Sequence, residues 1–252
     1  MESQKKKLLA LAAASLLIAG CGGGGGDSDQ QQPAATSAEG LYTGLTSTGR
    51  NITGLVLDDG TYYVLYSPVG NSTAIAGVVQ GTGTSSAGTF SSSNARDFNL
   101  EGLGVLAATV SASYVAKQSF NGTVAYGAAG NTSFSSTYDV GYEAAPSLAA
   151  LAGTFTGQVA SSAGNENAAV TISVGGAISG SGASGCSLSG SVAPRARGNA
   201  FNVSLTFGGA PCLFANQTLI GIAYFNATTK VLYSALPNAN RTDGVLFVGV
   251  KP

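Results

Sequence analysis

Residues 201–207 read Phe201-Asn202-Val203-Ser204-Leu205-Thr206-Phe207, with an apolar side chain at every second position. Successive side chains of a β-strand point to opposite faces, so this segment predicts a strand with one buried and one solvated face. Val170, Ile172 and Val174 repeat the pattern, and a longer alternating run over 133–143 predicts another strand. The alternation therefore indicates an all-β protein.

Turn signals divide the chain into short strands that fall into two halves. Dipeptides such as Gly175-Gly176 separate the alternating runs, and each half of the chain contains about eight predicted strands. A short helix is predicted over 147–152, between the halves. We expect two tandem antiparallel domains, 39–145 and 146–252, each shaped as a barrel, because closure removes exposed strand edges. An eight-stranded β-sandwich is the alternative.

The composition excludes several function classes. Of the 252 residues only 9% are charged, 44% are hydrophobic and none is histidine. Without histidine the chain has no Ser-His-Asp or Cys-His catalytic site and no histidine-ligated metal. A net charge of −1 with dispersed basic residues argues against nucleic-acid binding. We expect a protein that is not an enzyme and that carries no cofactor.

The N-terminus has the layout of an export signal. Lys5, Lys6 and Lys7 precede an apolar run over 8–18, which is too short to span a bilayer as a helix. The segment Ile18-Ala19-Gly20-Cys21 resembles the lipobox of bacterial lipoproteins. This resemblance implies a signal peptide over 1–20, lipidation of Cys21, and a lipid anchor in the outer membrane, on its periplasmic or its surface face. A plain secretory signal is the alternative.

A glycine-rich segment follows the lipobox. Residues 21–38 include five consecutive glycines and a polar stretch that is too poor in apolar residues to fold. We expect a flexible tether between the anchor and the β domains.

Two cysteines remain in the β domains, Cys186 and Cys212. An exported protein meets an oxidising compartment, so a disulfide between them is predicted. A redox or metal pair is the alternative, but the chain has no CxxC spacing.

Two small groups of residues are candidate ligand or partner contacts. Tyr62 and Tyr66 share one face of a predicted strand, either as an aromatic binding platform or as core and interface packing. Arg195 and Arg197 form a basic spot on a predicted hairpin loop, either for an anionic partner or as a solvated turn.

Carboxylates do not suggest a catalytic pair. Asp97 and Glu101 are close in sequence but fall at the end of a predicted strand, where solvation is the expected role.

The lipobox, the tether and the tandem β domains together resemble bacterial surface lipoproteins of the transferrin-binding and factor-H-binding type. That resemblance implies a non-enzymatic binding protein that engages a host or envelope protein through loops. Two segments, Gly40-Leu41-Tyr42-Thr43-Gly44 and Gly153-Thr154-Phe155-Thr156-Gly157, resemble the first strand of lipocalin-like barrels, which implies a carrier of a small apolar ligand as one alternative. A structural envelope lipoprotein is another. The sequence does not indicate an oligomeric state.

Overall fold

The alternating segments form seventeen antiparallel β-strands in a computed structural model, which describes residues 37–252. The predicted signal peptide, Cys21 and nearly all of the predicted tether lie outside the described residues. Strands β1 to β9 are Gly40–Thr46, Asn51–Val56, Thr61–Tyr66, Gly77–Thr82, Thr84–Ser86, Thr89–Asn99, Gly104–Val115, Ser119–Ala125 and Asn131–Tyr138. Strands β10 to β17 are Gly153–Ser161, Gly164–Ile172, Ala177–Gly182, Ser187–Pro194, Phe201–Phe207, Thr218–Asn226, Val231–Pro237 and Gly244–Val250.

Strands β1 to β9 make the N-terminal barrel. Its sheet runs in the order β4-β3-β2-β1-β9-β8-β7-β6-β5, and an additional pairing of β4 with β6 closes it into eight strands. Gly77↔Asn99 and Gln80↔Arg96 are the outer pairs of this closing ladder. The three-residue β5 pairs with β6 alone, as a hairpin outside the ring.

Strands β10 to β17 make the C-terminal barrel. Each strand pairs with its sequence neighbour, and β17 pairs back onto β10, with Thr156 opposite Val250. The predicted all-β fold with two barrels is therefore confirmed, and the sandwich alternative is wrong. The domain limits 39–145 and 146–252 stay a prediction; residues 37–252 belong to one compact unit.

The segment that joins the barrels departs from the predicted strand over 133–143. Strand β9 ends at Tyr138, because the Asp139 carboxylate accepts a hydrogen bond from Gly141 N and begins a 3-10 turn, Val140–Glu143. The predicted helix is present as α1, Leu148–Leu151, and the Ser147 hydroxyl accepts from Ala150 N at its N-terminus.

The C-terminal barrel is closed at both ends by its own chain. Helix α1 places Leu151, which is fully buried, against one end of the barrel core. At the opposite end, loop 208–217 places Phe214 against Phe207, with 5.9 Å between the ring centres. The interior between these ends is filled by side chains such as Phe155 and Phe201.

The two barrels pack against each other through their outer faces. An apolar cluster joins Leu55 and Tyr63 of the N-terminal barrel to Ile222, Tyr224 and Leu246 of the C-terminal barrel. Burial of these side chains stabilises the arrangement by removing apolar surface from water. No helix within residues 37–252 is long and apolar enough to cross a membrane.

Candidate functional site

The N-terminal barrel encloses a cavity of about 320 Å³, whereas the interior of the C-terminal barrel leaves only about 40 Å³. Both barrels have eight strands, so the difference lies in the side chains that fill them and in how their ends are covered. The cavity wall is mainly apolar and includes side chains from most strands of the barrel: Ile52, Val64, Val79, Leu106, Val110, Phe120, Val124 and Phe134.

One end of the N-terminal barrel is closed by aromatic packing. The rings of Tyr42 and Phe90 both contact the ring of Phe120, with centres 5.3 Å apart in each pair. The incoming chain covers this end, where Ala38 is fully buried and its carbonyl accepts a hydrogen bond from the Tyr42 hydroxyl. The cavity is therefore blocked on this side.

The opposite end of the N-terminal barrel is the mouth of the cavity. Antiparallel order places the four loops 47–50, 67–76, 100–103 and 126–130 at this end. Exposed residues of these loops, including Thr48, Leu103 and Ala129, line the cavity together with the buried wall. The cavity is thus bordered by loop residues that solvent reaches.

A buried carboxylate forms the polar part of the cavity. Asp97 is only 4% exposed. Its Oδ1 accepts a hydrogen bond from the Tyr66 hydroxyl at 2.7 Å, and its Oδ2 accepts one from the Tyr126 hydroxyl at 2.8 Å. Burial raises the pKa of Asp97, while these two hydrogen bonds and the charge of Arg50 act in the opposite direction. Burial beside Asp97 also raises the pKa of both tyrosines.

Arg50 connects two loops at the mouth. Its guanidinium donates to the Ser67 carbonyl at 3.0 Å and to Glu101 Oε2 at 2.7 Å, and it lies 5.6 Å from the centre of the Tyr66 ring. The hydrogen bond to Glu101 raises the pKa of Arg50, so this side chain stays charged and paired. Arg50 therefore holds the β1–β2 turn against the loop before β7.

Asp97 faces the cavity because strand β6 contains a β-bulge. The register pairs Ser92 with Val110 but Ala95 with Ala108, so β6 carries one extra residue between these pairs. After the bulge, Ala95 and Asp97 point inward and Phe98 joins the cluster between the barrels. The expectation that Asp97 is solvated at a strand end is thus wrong. Glu101 does lie in a loop at the mouth.

The predicted tyrosine contacts both lie inside the N-terminal barrel. Tyr62 and Tyr66 line the cavity, and the Tyr62 hydroxyl donates to Ser92 Oγ at 3.0 Å. Their neighbour Tyr63 points the other way, into the cluster between the barrels. The predicted division of this strand into two faces therefore holds, and its inner face belongs to both the core and the cavity wall.

The predicted arginine contacts lie between the two barrels. Arg195 donates to Asp58 Oδ1 at 2.6 Å and to Asp59 Oδ2 at 3.4 Å. Arg197 donates to both oxygens of Glu39, at 3.1 and 2.7 Å. The carboxylates in these ion pairs all belong to the N-terminal part of the chain, so the structure places both arginines in an intramolecular contact.

Cys186 and Cys212 form a disulfide, as the sequence predicts. It links the turn before β13 to loop 208–217, at the end of the C-terminal barrel that Phe214 covers. No group of three or more acidic or cysteine side chains suited to a metal ion occurs within residues 37–252. The arrangement in the N-terminal barrel is suited to binding, since its wall offers apolar contact and a small number of hydrogen-bonding groups, of which Asp97 is the buried carboxylate.

Comparisons with known proteins give weak structural similarity only. No protein-family model matches the sequence. No curated protein matches it either. Transferrin binding protein B from Neisseria meningitidis is similar at 7% identity and a TM-score of 0.29, over 81% of this chain and 66% of that chain. The protein of the same name from Haemophilus parasuis, as a double mutant, gives 10% identity and a TM-score of 0.30, over 81% and 61%. This chain spans less than two thirds of either length, and similarity at this level assigns neither a family nor a ligand.

Proposed function

We propose that this chain is a non-enzymatic binding protein of the bacterial envelope, anchored by lipid at Cys21, whose N-terminal barrel binds a small and largely apolar molecule. The contrast between the two barrels carries the proposal. The interior of the C-terminal barrel has a cavity volume of only about 40 Å³, whereas that of the N-terminal barrel has about 320 Å³ and is bordered by exposed loop residues. Ligand pockets are concave and mostly apolar, with a few polar groups that fix orientation, and the N-terminal cavity has these properties.

The anchor in this proposal rests on the sequence. Ile18-Ala19-Gly20-Cys21 supplies small residues before the thiol that would be acylated, and the glycine-rich segment after it provides the tether, which ends before the buried Ala38. Gly22 follows the cysteine, which in the lipoprotein pattern favours the outer membrane. Export of the chain is also in keeping with the disulfide in the C-terminal barrel.

Two variants on adjacent residues test the cavity. Val110 is buried and lines the cavity, whereas Thr109 on the same strand is exposed. Val110→Phe fills the cavity, and Thr109→Phe adds the same ring outside the barrel. Native mass spectrometry of the full chain purified from cells should show a bound small molecule with the wild type and with Thr109→Phe, and not with Val110→Phe. A mass for the wild type that never exceeds the chain with its lipid would contradict the proposal.

A second candidate function is binding of a protein through the mouth loops, as the surface-lipoprotein resemblance implies. Val69 is 62% exposed and Leu103 is 67% exposed, on two of the four loops at the mouth. Exposed apolar side chains on loops are typical of interaction sites. Replacement of both by serine should abolish capture of a partner from host serum or from the envelope. Val69→Ser alone, which lies outside the cavity wall, should weaken capture and leave the cavity ligand bound. Unchanged capture would contradict this candidate.

A further inference from the structure

The charged side chains in the cavity of the N-terminal barrel and at its mouth sum to one negative charge. Arg50 and Asp97 are the only charged side chains that line the cavity among the described residues. Arg50 is already paired, because its guanidinium contacts Glu101 at 2.7 Å. No lysine or arginine within residues 37–252 forms an ion pair with Asp97. The charges of Arg50, Asp97 and Glu101 therefore sum to −1. Asp97, which has no ion pair, is the most buried of the three.

We propose that the ligand of this cavity carries a protonated amine, which lies against Asp97 while an apolar, ring-sized body contacts the rest of the wall. This inference rests on the proposed function and names the chemical class of its ligand. An isolated buried carboxylate is costly unless a cation or hydrogen bonds compensate it. Two tyrosine hydroxyls already donate to Asp97, and an ammonium group adds a positive charge and further donors.

The hydrogen bonds around Asp97 leave it able to accept more. Each carboxylate oxygen accepts one tyrosine hydroxyl, from Tyr66 and from Tyr126, whereas a carboxylate has about four acceptor positions. Both tyrosines also line the cavity. The electron-rich face of an aromatic ring attracts a cation within about 6 Å of its centre, so the Tyr126 ring favours an ammonium further, whereas Arg50 already lies over the Tyr66 ring.

An anionic ligand is disfavoured by the same contacts. The charge of Arg50, the only cationic side chain lining the cavity among the described residues, is offset by Glu101, and two of its donors are used by Ser67 and Glu101. An anion would therefore meet the charge of Asp97 without a free cation to oppose it. A neutral alcohol would supply a hydrogen bond to Asp97 but would leave the buried charge in place. The site should thus rank an amine above an alcohol and an alcohol above a carboxylate.

Three probes with the same body separate these cases: 3-phenylpropylamine, 3-phenylpropan-1-ol and 3-phenylpropanoate. Their dissociation constants are measured by calorimetry with the full chain and with three variants. Asp97→Asn removes the charge and keeps the shape. Asp243→Asn makes the same change in the C-terminal barrel, away from the cavity. Val110→Phe fills the cavity. Circular dichroism and the melting temperature show whether each variant is folded.

We expect the amine to bind wild type at least tenfold more tightly than the alcohol, and the carboxylate to bind most weakly. Asp97→Asn should remove the preference for the amine and leave alcohol binding within about twofold, while Asp243→Asn should change nothing. Equal affinities for amine and alcohol in the wild type, or an unchanged preference in Asp97→Asn, would overturn the inference. Loss of alcohol binding in Val110→Phe would then still support the cavity as the binding site. If none of the probes bound the wild type, the proposed function would fail with the inference.

Discussion

The Tyr66 hydroxyl donates to Asp97 Oδ1 at 2.7 Å along the inner face of the N-terminal barrel, from strand β3 to strand β6. The two strands are not neighbours, because β4 lies between them in the sheet. The hydrogen bond therefore spans the intervening strand β4 and fixes the Asp97 carboxylate as a polar group of the interior. Tyr126, in the loop after β8, donates the second hydrogen bond to Asp97. The proposed preference for an amine depends on this cluster.

The pH dependence of stability tests the state of Asp97. Burial raises the pKa of Asp97 above its ordinary value of 3.8. As pH rises through 3.8, the unfolded chain loses this proton before the folded chain does, so the wild type loses stability relative to Asp97→Asn. The loss is about 1.4 kcal/mol for each pH unit between the unfolded and folded pKa values, and it stops above the folded one.

Urea denaturation of both proteins at about pH 3, 5 and 7 measures this difference. We expect the free energy of unfolding of wild type, minus that of Asp97→Asn, to be greatest at the lowest pH. A difference that grows with pH would show that the tyrosine hydrogen bonds and Arg50 outweigh burial and lower the pKa of Asp97.

Replacement of Arg195 tests the contact between the barrels. Arg195→Ala leaves Asp58 and Asp59 as neighbouring negative charges without their cation. We expect a loss of about 1–2 kcal/mol, at the low end of charged hydrogen bonds because Asp58 is partly solvated. Arg96→Ala, at an exposed position, is the control and should change stability by less than about 0.5 kcal/mol. Equal effects in chemical denaturation would contradict a role for Arg195 between the barrels.

Removal of the disulfide should destabilise the C-terminal barrel. Cys186 and Cys212 are 26 residues apart, and closure of such a loop contributes about 3.5 kcal/mol in the chain-entropy description. We expect the double replacement by serine to lower the free energy of unfolding by about that amount. A reductant should destabilise wild type in the same way and leave the double variant unchanged. A wild-type chain that is insensitive to the reductant throughout unfolding would contradict this prediction.

Lipidation is tested at the proposed acceptor. Cells that express the chain are grown with an alkyne analogue of palmitate, and the purified protein is then coupled to a fluorophore. The wild type should be labelled and should sediment with membranes, whereas Cys21→Ala should be unlabelled. Gly22→Ser, one position later, is the control and should keep the label. Labelling of Cys21→Ala would exclude Cys21 as the only acceptor, and an unlabelled wild type would favour a plain secretory signal.

Much of the fold was predictable from periodicity. The segment Phe201–Phe207 is a strand with the predicted buried face, and the disulfide joins the predicted cysteines. Periodicity predicted the wrong face for the residues that follow the β-bulge in strand β6. Alternation from Phe90 alone places Phe98 on the inner face, whereas the bulge turns Phe98 outward and Asp97 inward.

The cavity itself was not predictable from the sequence. Both halves contain similar alternating apolar residues, and only the three-dimensional positions of their side chains create a cavity in the N-terminal barrel. The partners of Arg195 were equally hidden, because Asp58 lies 137 positions away along the chain. Such long-range contacts leave no local pattern. Tyr66 is a candidate from the sequence because it shares a strand face with Tyr62, but no local signal marks its acceptor Asp97.

The most direct test of ligand binding in the N-terminal barrel is an NMR measurement of where a probe lies. Valine methyl groups of the full chain are labelled, and nuclear Overhauser effects to the ring protons of 3-phenylpropylamine are recorded. The cavity wall contains Val64, Val110 and Val124, and the C-terminal barrel contains Val170 and Val203 as internal controls. We predict contacts from the ring to the first group and none to the second. Contacts to Val170 or Val203, or none to the cavity valines, would contradict the account.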